Sequence, residues 1–182
     1  LHMIATTNAN GMIGVIMPHG VLFRGGAEGV IRQGIVKADL FEAIVGLAPN
    51  LFYGASIPVA VCILNRNKRP ERRGKVLFVD ASQEGYFRVG KTKNYLVPEH
   101  IQKIVTAVQS FEDVPRFAHV ADLAEIQANE FNLNISRYVD TTVEEAPVDV
   151  RVVLNRLHEL ERERDEAVAT MNKLLAELGY VG

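Results

Sequence analysis

Apolar residues fall into two patterns along this chain. Through the first two-thirds they form short runs: residues 11–17 (GMIGVIM), 41–47 (FEAIVGL), 59–64 (VAVCIL) and 75–80 (KVLFVD). Runs of this length, rich in Val, Ile and Leu, predict strands. Residues 11–17 are almost continuously apolar, so a buried parallel strand is expected there. Residues 18–23 are its carboxyl-end loop, and 25–38 follow with helical spacing, placing Ile31, Ile35 and Val36 on an inner face. Residues 98–111 predict an amphipathic helix, with Pro98 in its first turn and Ile101, Ile104, Val105 and Val108 three and four apart. A short strand at 117–120 and a short helix at 122–127 complete the pattern. This order of elements implies an α/β sheet with at least one antiparallel strand.

From residue 148 the spacing changes. Val150, Val153, Leu157 and Leu160 recur at three and four, and so do Met171, Leu174 and Leu178. Arg164 and Ala167 lie in the seam between them, and Glu and Arg alternate over 159–166. This predicts one long amphipathic helix with coiled-coil spacing, about 45 Å for thirty residues. Its apolar stripe requires either a partner or its own sheet domain to cover it. The expected organisation is a sheet domain over 1–139, an acidic linker over 140–147 and a helix over 148–182.

Length and charge narrow the possibilities. A chain of 182 residues has room for one core plus an appendage. The formal net charge of −2 provides no global basic field, so any polyanion-binding surface must be local. The single Cys62 has no second thiol for a bridge or zinc site, which fits a reducing, cytoplasmic location. No apolar run approaches ~20 residues, so no membrane partner is expected. The five His residues lack paired metal spacing, no metal site is expected, and no Gly-x-Ser-x-Gly elbow occurs. The opening Leu1-His2-Met3-Ile4 reads as the end of a helix belonging to something longer.

Residues 50–58 (NLFYGASIP) stand out chemically. They join two predicted strands, and open α/β sheets bind ligands beyond the carboxyl ends of their strands. Adjacent Phe52 and Tyr53 with small Gly54 and Ser56 suit a flat, apolar-faced ligand; capping of the core is the plainer alternative. Arg24, and the local group Arg88, Lys91, Lys93 and Asn94, are candidates for phosphate contact, against ordinary solvated charge. Arg66, Lys68, Arg69, Arg72 and Arg73 are denser but read as a hairpin turn. His19, beside Pro18 at a strand's carboxyl end, is a candidate for the same cleft.

Three segments taken together carry a resemblance: 18–29 (PHGVLFRGGAEG), 50–58, and 131–139 (FNLNISRYV). In order and wording they resemble the modification (methyltransferase) subunit of type I restriction-modification enzymes, which methylates adenine N6 in DNA using S-adenosylmethionine. The resemblance runs along nearly the whole chain and is loosest over 85–127 and in the final helix. It implies a fold: the carboxyl-terminal part of a Rossmann-like class I methyltransferase sheet, with 11–17 its fifth strand. Residues 41–47 would be the last parallel strand, 59–64 its antiparallel neighbour, and 1–9 the end of the preceding helix. The family's Gly-rich cofactor turn and its Asn-Pro-Pro-Phe motif belong upstream, and neither string occurs here. The resemblance therefore implies no catalytic residue in this piece and no S-adenosylmethionine bound by it, the cofactor belonging to the full-length enzyme.

Base-modifying enzymes rotate their target out of the duplex. The resemblance implies Phe52, then Tyr53, as the wall against which the flipped adenine stacks, with Gly54 and Ser56 close to the nucleotide. Asn132, Asn134 and Arg137 would fasten the final loop to the sheet. The last helix would dock on the DNA-specificity subunit, in a complex with a second modification subunit and the restriction subunit. The competing expectation is a non-catalytic interaction module that dimerises or docks through that helix.

Overall fold

The computed structural model describes residues 1–142 and 150–180. The chain divides into two compact units, Leu1–Thr142 and Val143–Gly182, taken separately below. Most of the linker expected at 140–147, residues 148 and 149 of the expected helix, and residues 181 and 182 lie outside the described residues.

The first unit is built on a five-stranded sheet: β1 (Met12–Pro18), β2 (Phe41–Leu47), β3 (Val59–Asn65), β4 (Lys75–Ala81) and β5 (Ala118–Asp122). Their spatial order is β1-β3-β2-β4-β5. β3 runs antiparallel to both β1 and β2, β4 runs parallel to β2, and β5 is antiparallel to β4. Consequently β1, β2 and β4 point the same way, and their carboxyl ends share one edge of the sheet. The expected antiparallel neighbour at 59–64 is β3, extended by one residue.

The strand at 11–17 differs from expectation. β1 begins at Met12 and runs the same way as β2 and β4, but among the described residues its only ladder is the antiparallel one to β3, and only Ile13 is buried. Continuous apolarity suggested burial on both faces, yet Met12 and Ile16 are 61% and 49% exposed. β2 is the strand that fits the buried pattern, with all seven positions inside.

Alternation along β2 and β4 divides the core. Ile44 and Phe78 face Leu22, Val36, Ile126, Leu133, Ile135 and Tyr138. Ala43, Val45, Leu47, Leu77 and Val79 face Ala107 and Phe117 on the other side. Around the sheet lie α1 (His2–Thr6), α2 (Gly20–Phe23), α3 (Gly26–Lys37), α4 (Pro98–Ser110) and α5 (Leu123–Ala128). α2 occupies part of what reads as loop. α4 ends at Phe111, in the left-handed region with φ 56°, its N–H bonded to the Ala107 carbonyl. Its inner residues include Ala107, Ile104 and Val108, whereas Ile101 and Val105 are exposed. α5 is capped by Asp122, whose carboxylate accepts the Glu125 N–H at 2.8 Å.

In α3, Val36 is buried and Ile35 packs against the core as expected, but Ile31 is exposed and Arg32 takes an inner position one turn before Val36. The basic stretch after β3 is likewise no hairpin. Because β4 pairs with β2, this segment crosses the amino end of β2, and Lys68 and Arg72 are buried there. The Lys68 ammonium donates to Asp39 at 2.6 Å and to the Lys75 carbonyl at 2.8 Å. Arg72 donates to Glu42 at 2.8 Å and to the Gln109 carbonyl, and its guanidinium lies 4.6 Å from the centre of the Phe111 ring. These charges hold the sheet together at the edge opposite the strands' carboxyl ends.

In the second unit, α6 (Val150–Glu177) has no buried residue. The expected seam of Val150, Val153, Leu157, Leu160, Met171 and Leu174 lies along it, and Leu178 falls just beyond its last turn. Gly179, at φ 78°, closes the helix: its N–H bonds to the Ala176 carbonyl and that of Tyr180 to the Leu175 carbonyl. This pairing is the Schellman pattern, for which glycine is favoured. Arg164 pairs with its neighbour Asp165 at 2.7 Å.

Candidate functional site

The loop between β2 and β3 stands at the edge where the parallel strands end. Asn50 enters it with φ 59°, a conformation Asn tolerates better than most residues. Phe52 to Ala55 form a turn closed by the Ala55 N–H on the Phe52 carbonyl at 3.4 Å, with Gly54 at φ 72°. Gly at that place lets the chain reverse without a Cβ clash. The turn leaves Phe52 41% and Tyr53 88% exposed, so these rings are not core caps.

A second segment meets this turn. Arg88 and Tyr95 exchange both backbone hydrogen bonds at 2.9 Å, making residues 88–95 a small hairpin. It closes tightly, since a Cβ on Gly90 would lie 2.4 Å from the Lys93 carbonyl oxygen. Asn94 ties it to the aromatic loop twice, through its N–H to the Asn50 carbonyl and its Nδ2 to the Pro49 carbonyl, both at 2.8 Å. Lys93 then places Nζ 3.6 Å from the centre of the Tyr53 ring. The two segments enclose a cleft of about 470 Å³ lined by Asn50, Phe52, Tyr53, Gly54, Ala55, Ser56, Thr92 and Lys93.

Of the sequence candidates, the structure therefore brings together Phe52, Tyr53, Gly54, Ser56 and Lys93. Arg88 and Lys91 belong to the same hairpin but do not line the cleft. Arg24 is elsewhere, after α2, exposed and 3.8 Å from the Glu28 carboxylate. His19 follows β1, and its Cε1 lies 3.8 Å from where a Gly46 Cβ would stand. Its Nε2 is buried without a hydrogen-bond partner among the described residues.

Several supporting residues escape sequence reasoning. Arg32 donates to three carbonyls, those of Phe131, Val21 and Arg24, at 2.9, 3.0 and 2.8 Å. Burial lowers its guanidinium pKa from the usual value, opposed by the nearby Glu28 carboxylate. It thereby joins the segment after β1 to the segment 131–139. That segment is fastened differently from expectation. Leu133, Ile135, Tyr138 and Val139 are buried, and the Leu133 N–H donates to the Leu22 carbonyl at 2.8 Å. The Asn132 side chain closes a local turn on the Asn134 N–H, while Asn134 and Arg137 show no side-chain bond to the sheet among the described contacts. The Ile135 Cδ1 fills the space beside Gly46, 2.7 Å from where a Cβ would be.

Among the described residues no three His, Cys, Asp or Glu side chains gather to hold a metal, and no helix is long and apolar enough to cross a membrane.

This mixed sheet, with β3 reversed between β1 and β2, is the α/β methyltransferase fold of a solved structure that it matches. A family model described as N-6 DNA Methylase matches residues 1–146, and the chain belongs to that family. It is similar to the type I restriction enzyme MjaVII methylase subunit of Methanocaldococcus jannaschii, 42% identical over 170 residues, covering 93% of this chain and 28% of that relative. The type I restriction enzyme HindI methylase subunit of Haemophilus influenzae is 35% identical over 191 residues, covering 98% and 42% respectively. Among solved structures, the type I restriction-modification system methyltransferase subunit from Streptococcus thermophilus matches with TM-score 0.66 and 45% identity, over 71% of this chain and 27% of that one. The chain thus spans between about a quarter and two-fifths of the length of these relatives.

Proposed function

We propose that this chain is the carboxyl-terminal part of a site-specific adenine-N6 DNA methyltransferase subunit of a type I restriction-modification system, acting in the cytoplasm. Its contribution is the wall against which the flipped target adenine stacks, together with a docking helix. One observation carries the reading: Phe52 and Tyr53 are held outside the core, at the carboxyl edge of the sheet, in a cleft that also contains a lysine. A flipped base needs a flat face, and its phosphate needs a cation.

S-adenosylmethionine is the methyl donor of the proposed full-length enzyme. The cleft residues do not fit it. None is a carboxylate that would take ribose hydroxyls, and the single charge, Lys93, repels a sulfonium. Methyl transfer is accordingly assigned to parts of the subunit outside this sequence, and this piece alone is expected to be inactive.

The proposed partners are DNA, the specificity subunit, a second modification subunit and the restriction subunit. The exposed apolar seam of α6 supports docking on the specificity subunit. Arg88, Lys91 and Arg24 remain candidates for phosphate contact beyond the cleft.

In a full-length subunit, Phe52→Ala is expected to weaken binding of DNA carrying an unpaired target adenine by ~1–3 kcal/mol, the value of one base–aromatic stack. Affinity for S-adenosylmethionine should not change. Equal DNA binding by wild type and variant removes Phe52 from the base site.

A further inference from the structure

We propose that Asn94 is a positioning residue for the aromatic turn, and that Lys93 leaves the Tyr53 ring for the phosphate of the nucleotide whose base stacks there. This rests on the base-wall reading and adds the hairpin 88–95 to the same site.

Three independent features support it. First, Asn94 is the residue that ties the hairpin to the aromatic loop through both backbone and side chain, onto the consecutive carbonyls of Pro49 and Asn50. Those carbonyls stand just ahead of the turn, with Leu51 between, so the two bonds fix the chain from which the turn departs. Second, Lys93 covers the ring face that a base would need, with its ammonium 3.6 Å from the Tyr53 centroid. A cation over an exposed aromatic is held weakly, because water competes for the ammonium. A stacking base can take the ring face, and the released ammonium then lies within a side chain's length of the nucleotide's own anion. Third, the hairpin is built for this approach. Gly90 is compulsory where the chain turns back, since any Cβ there would strike the Lys93 carbonyl, and Thr92 and Lys93 line the same cleft as Phe52. The recognised ligand is an unstacked purine nucleotide, with its base on the aromatic turn and its phosphate on Lys93.

The test uses the 182-residue chain, NMR and two probes, deoxyadenosine monophosphate and deoxyadenosine. In the free protein the Lys93 side-chain protons nearest the ring should be shifted upfield by the Tyr53 ring current. Asn94→Asp keeps the side chain's shape but replaces the donor to Pro49 with an acceptor, and should abolish that shift while the amide spectrum of the sheet stays intact. A full upfield shift in Asn94→Asp overturns the positioning role. On titration the monophosphate should perturb the Tyr53 ring and remove the Lys93 shift, and should bind about tenfold more tightly than the nucleoside. Lys93→Ala should reduce that ratio to about one. If Tyr53 responds but Lys93 stays on the ring, the base wall stands and the exchange is wrong. If neither probe perturbs Tyr53 or Phe52, the base wall and the exchange both fall, while the Asn94→Asp spectrum still decides the positioning role.

Discussion

The Tyr138 ring lies flat on that of Phe78, with centroids 3.8 Å apart and planes 8° from parallel. Its hydroxyl donates to the Asn132 carbonyl at 2.6 Å. The tyrosine of the FNLNISRYV segment is therefore the anchor that clamps this segment to the centre of β4. Tyr138→Phe should cost about 1 kcal/mol, the worth of one hydrogen bond, and Tyr138→Ala ~3–5 kcal/mol, measured by urea denaturation. A Phe variant as unstable as the Ala variant would place the anchoring in the hydroxyl instead.

The same residue predicts a pH dependence. Burial, with Glu125 adding to it, pushes the Tyr138 phenol up to about 12 from an ordinary value of 10. Below pH 10 both folded and unfolded chains keep this proton. Between 10 and about 12 the unfolded chain ionises first, so stability falls as pH rises. The difference in melting temperature between wild type and Tyr138→Phe should therefore shrink from pH 9 to pH 11. A constant difference would show that the folded phenol ionises as readily as the unfolded one.

Glu42 and Arg72 form a buried ion pair at the opposite edge of the sheet, 2.8 Å apart. Arg72→Met alone strands the Glu42 carboxylate with Asn65 as its remaining described partner, at an expected cost of ~3–5 kcal/mol. The double variant Glu42→Leu with Arg72→Met removes both charges and should recover much of that loss. Urea midpoints for the pair and the single variant check this; no recovery in the double variant would mean the pair's value lies in its other hydrogen bonds.

At Gly46 the expectation concerns coupling. Gly46→Ala drives a methyl into the Ile135 Cδ1, for an expected ~1–3 kcal/mol. Ile135→Val removes that Cδ1, so the two changes together should cost less than their sum. Strict additivity in a double-mutant cycle would show that Ile135 swings away freely.

For α6, removing residues 148–182 from a full-length subunit should abolish co-elution with the specificity subunit. Near-ultraviolet dichroism of the aromatic clusters should be unchanged. Co-elution after the deletion would overturn the docking assignment.

Much of the fold is legible because β2, β3 and β4 carry strong local signals: seven-residue stretches rich in Val, Ile, Leu and Phe between turn residues. β1 misleads, since GMIGVIM is as apolar as β2 yet half of it faces outward; hydropathy records what a strand is made of, not what covers it. The inner place of Arg32 on α3 is invisible for a related reason. Arg32 takes an inner position because it finds three carbonyls there, and those carbonyls come from segments up to 99 residues away. At the site, Phe52 and Tyr53 announce themselves as aromatics in a turn. Asn94 gives no such signal, because its meaning lies in a bond to Pro49, 45 residues earlier. The buried Lys68 and Arg72 show the opposite failure: a basic run reads as a hairpin turn until its carboxylate partners, Asp39 and Glu42, are placed beside it.

The aromatic turn hangs between β2 and β3, each laddered on both of its edges, to β3 and β4 and to β1 and β2 respectively. Changing the length of either strand would slip two ladders at once and exchange the residues facing each layer of core. The hairpin 88–95 is bound by no such ladder; its span is set by Gly90 and by two hydrogen bonds from one asparagine. Insertions and deletions should therefore be damaging between residues 41 and 47 and better tolerated around Gly85, ahead of the hairpin. On the proposed reading of the cleft, a lineage that must fit a new nucleotide geometry can reshape its cation side while the ring it works against stays where the sheet put it.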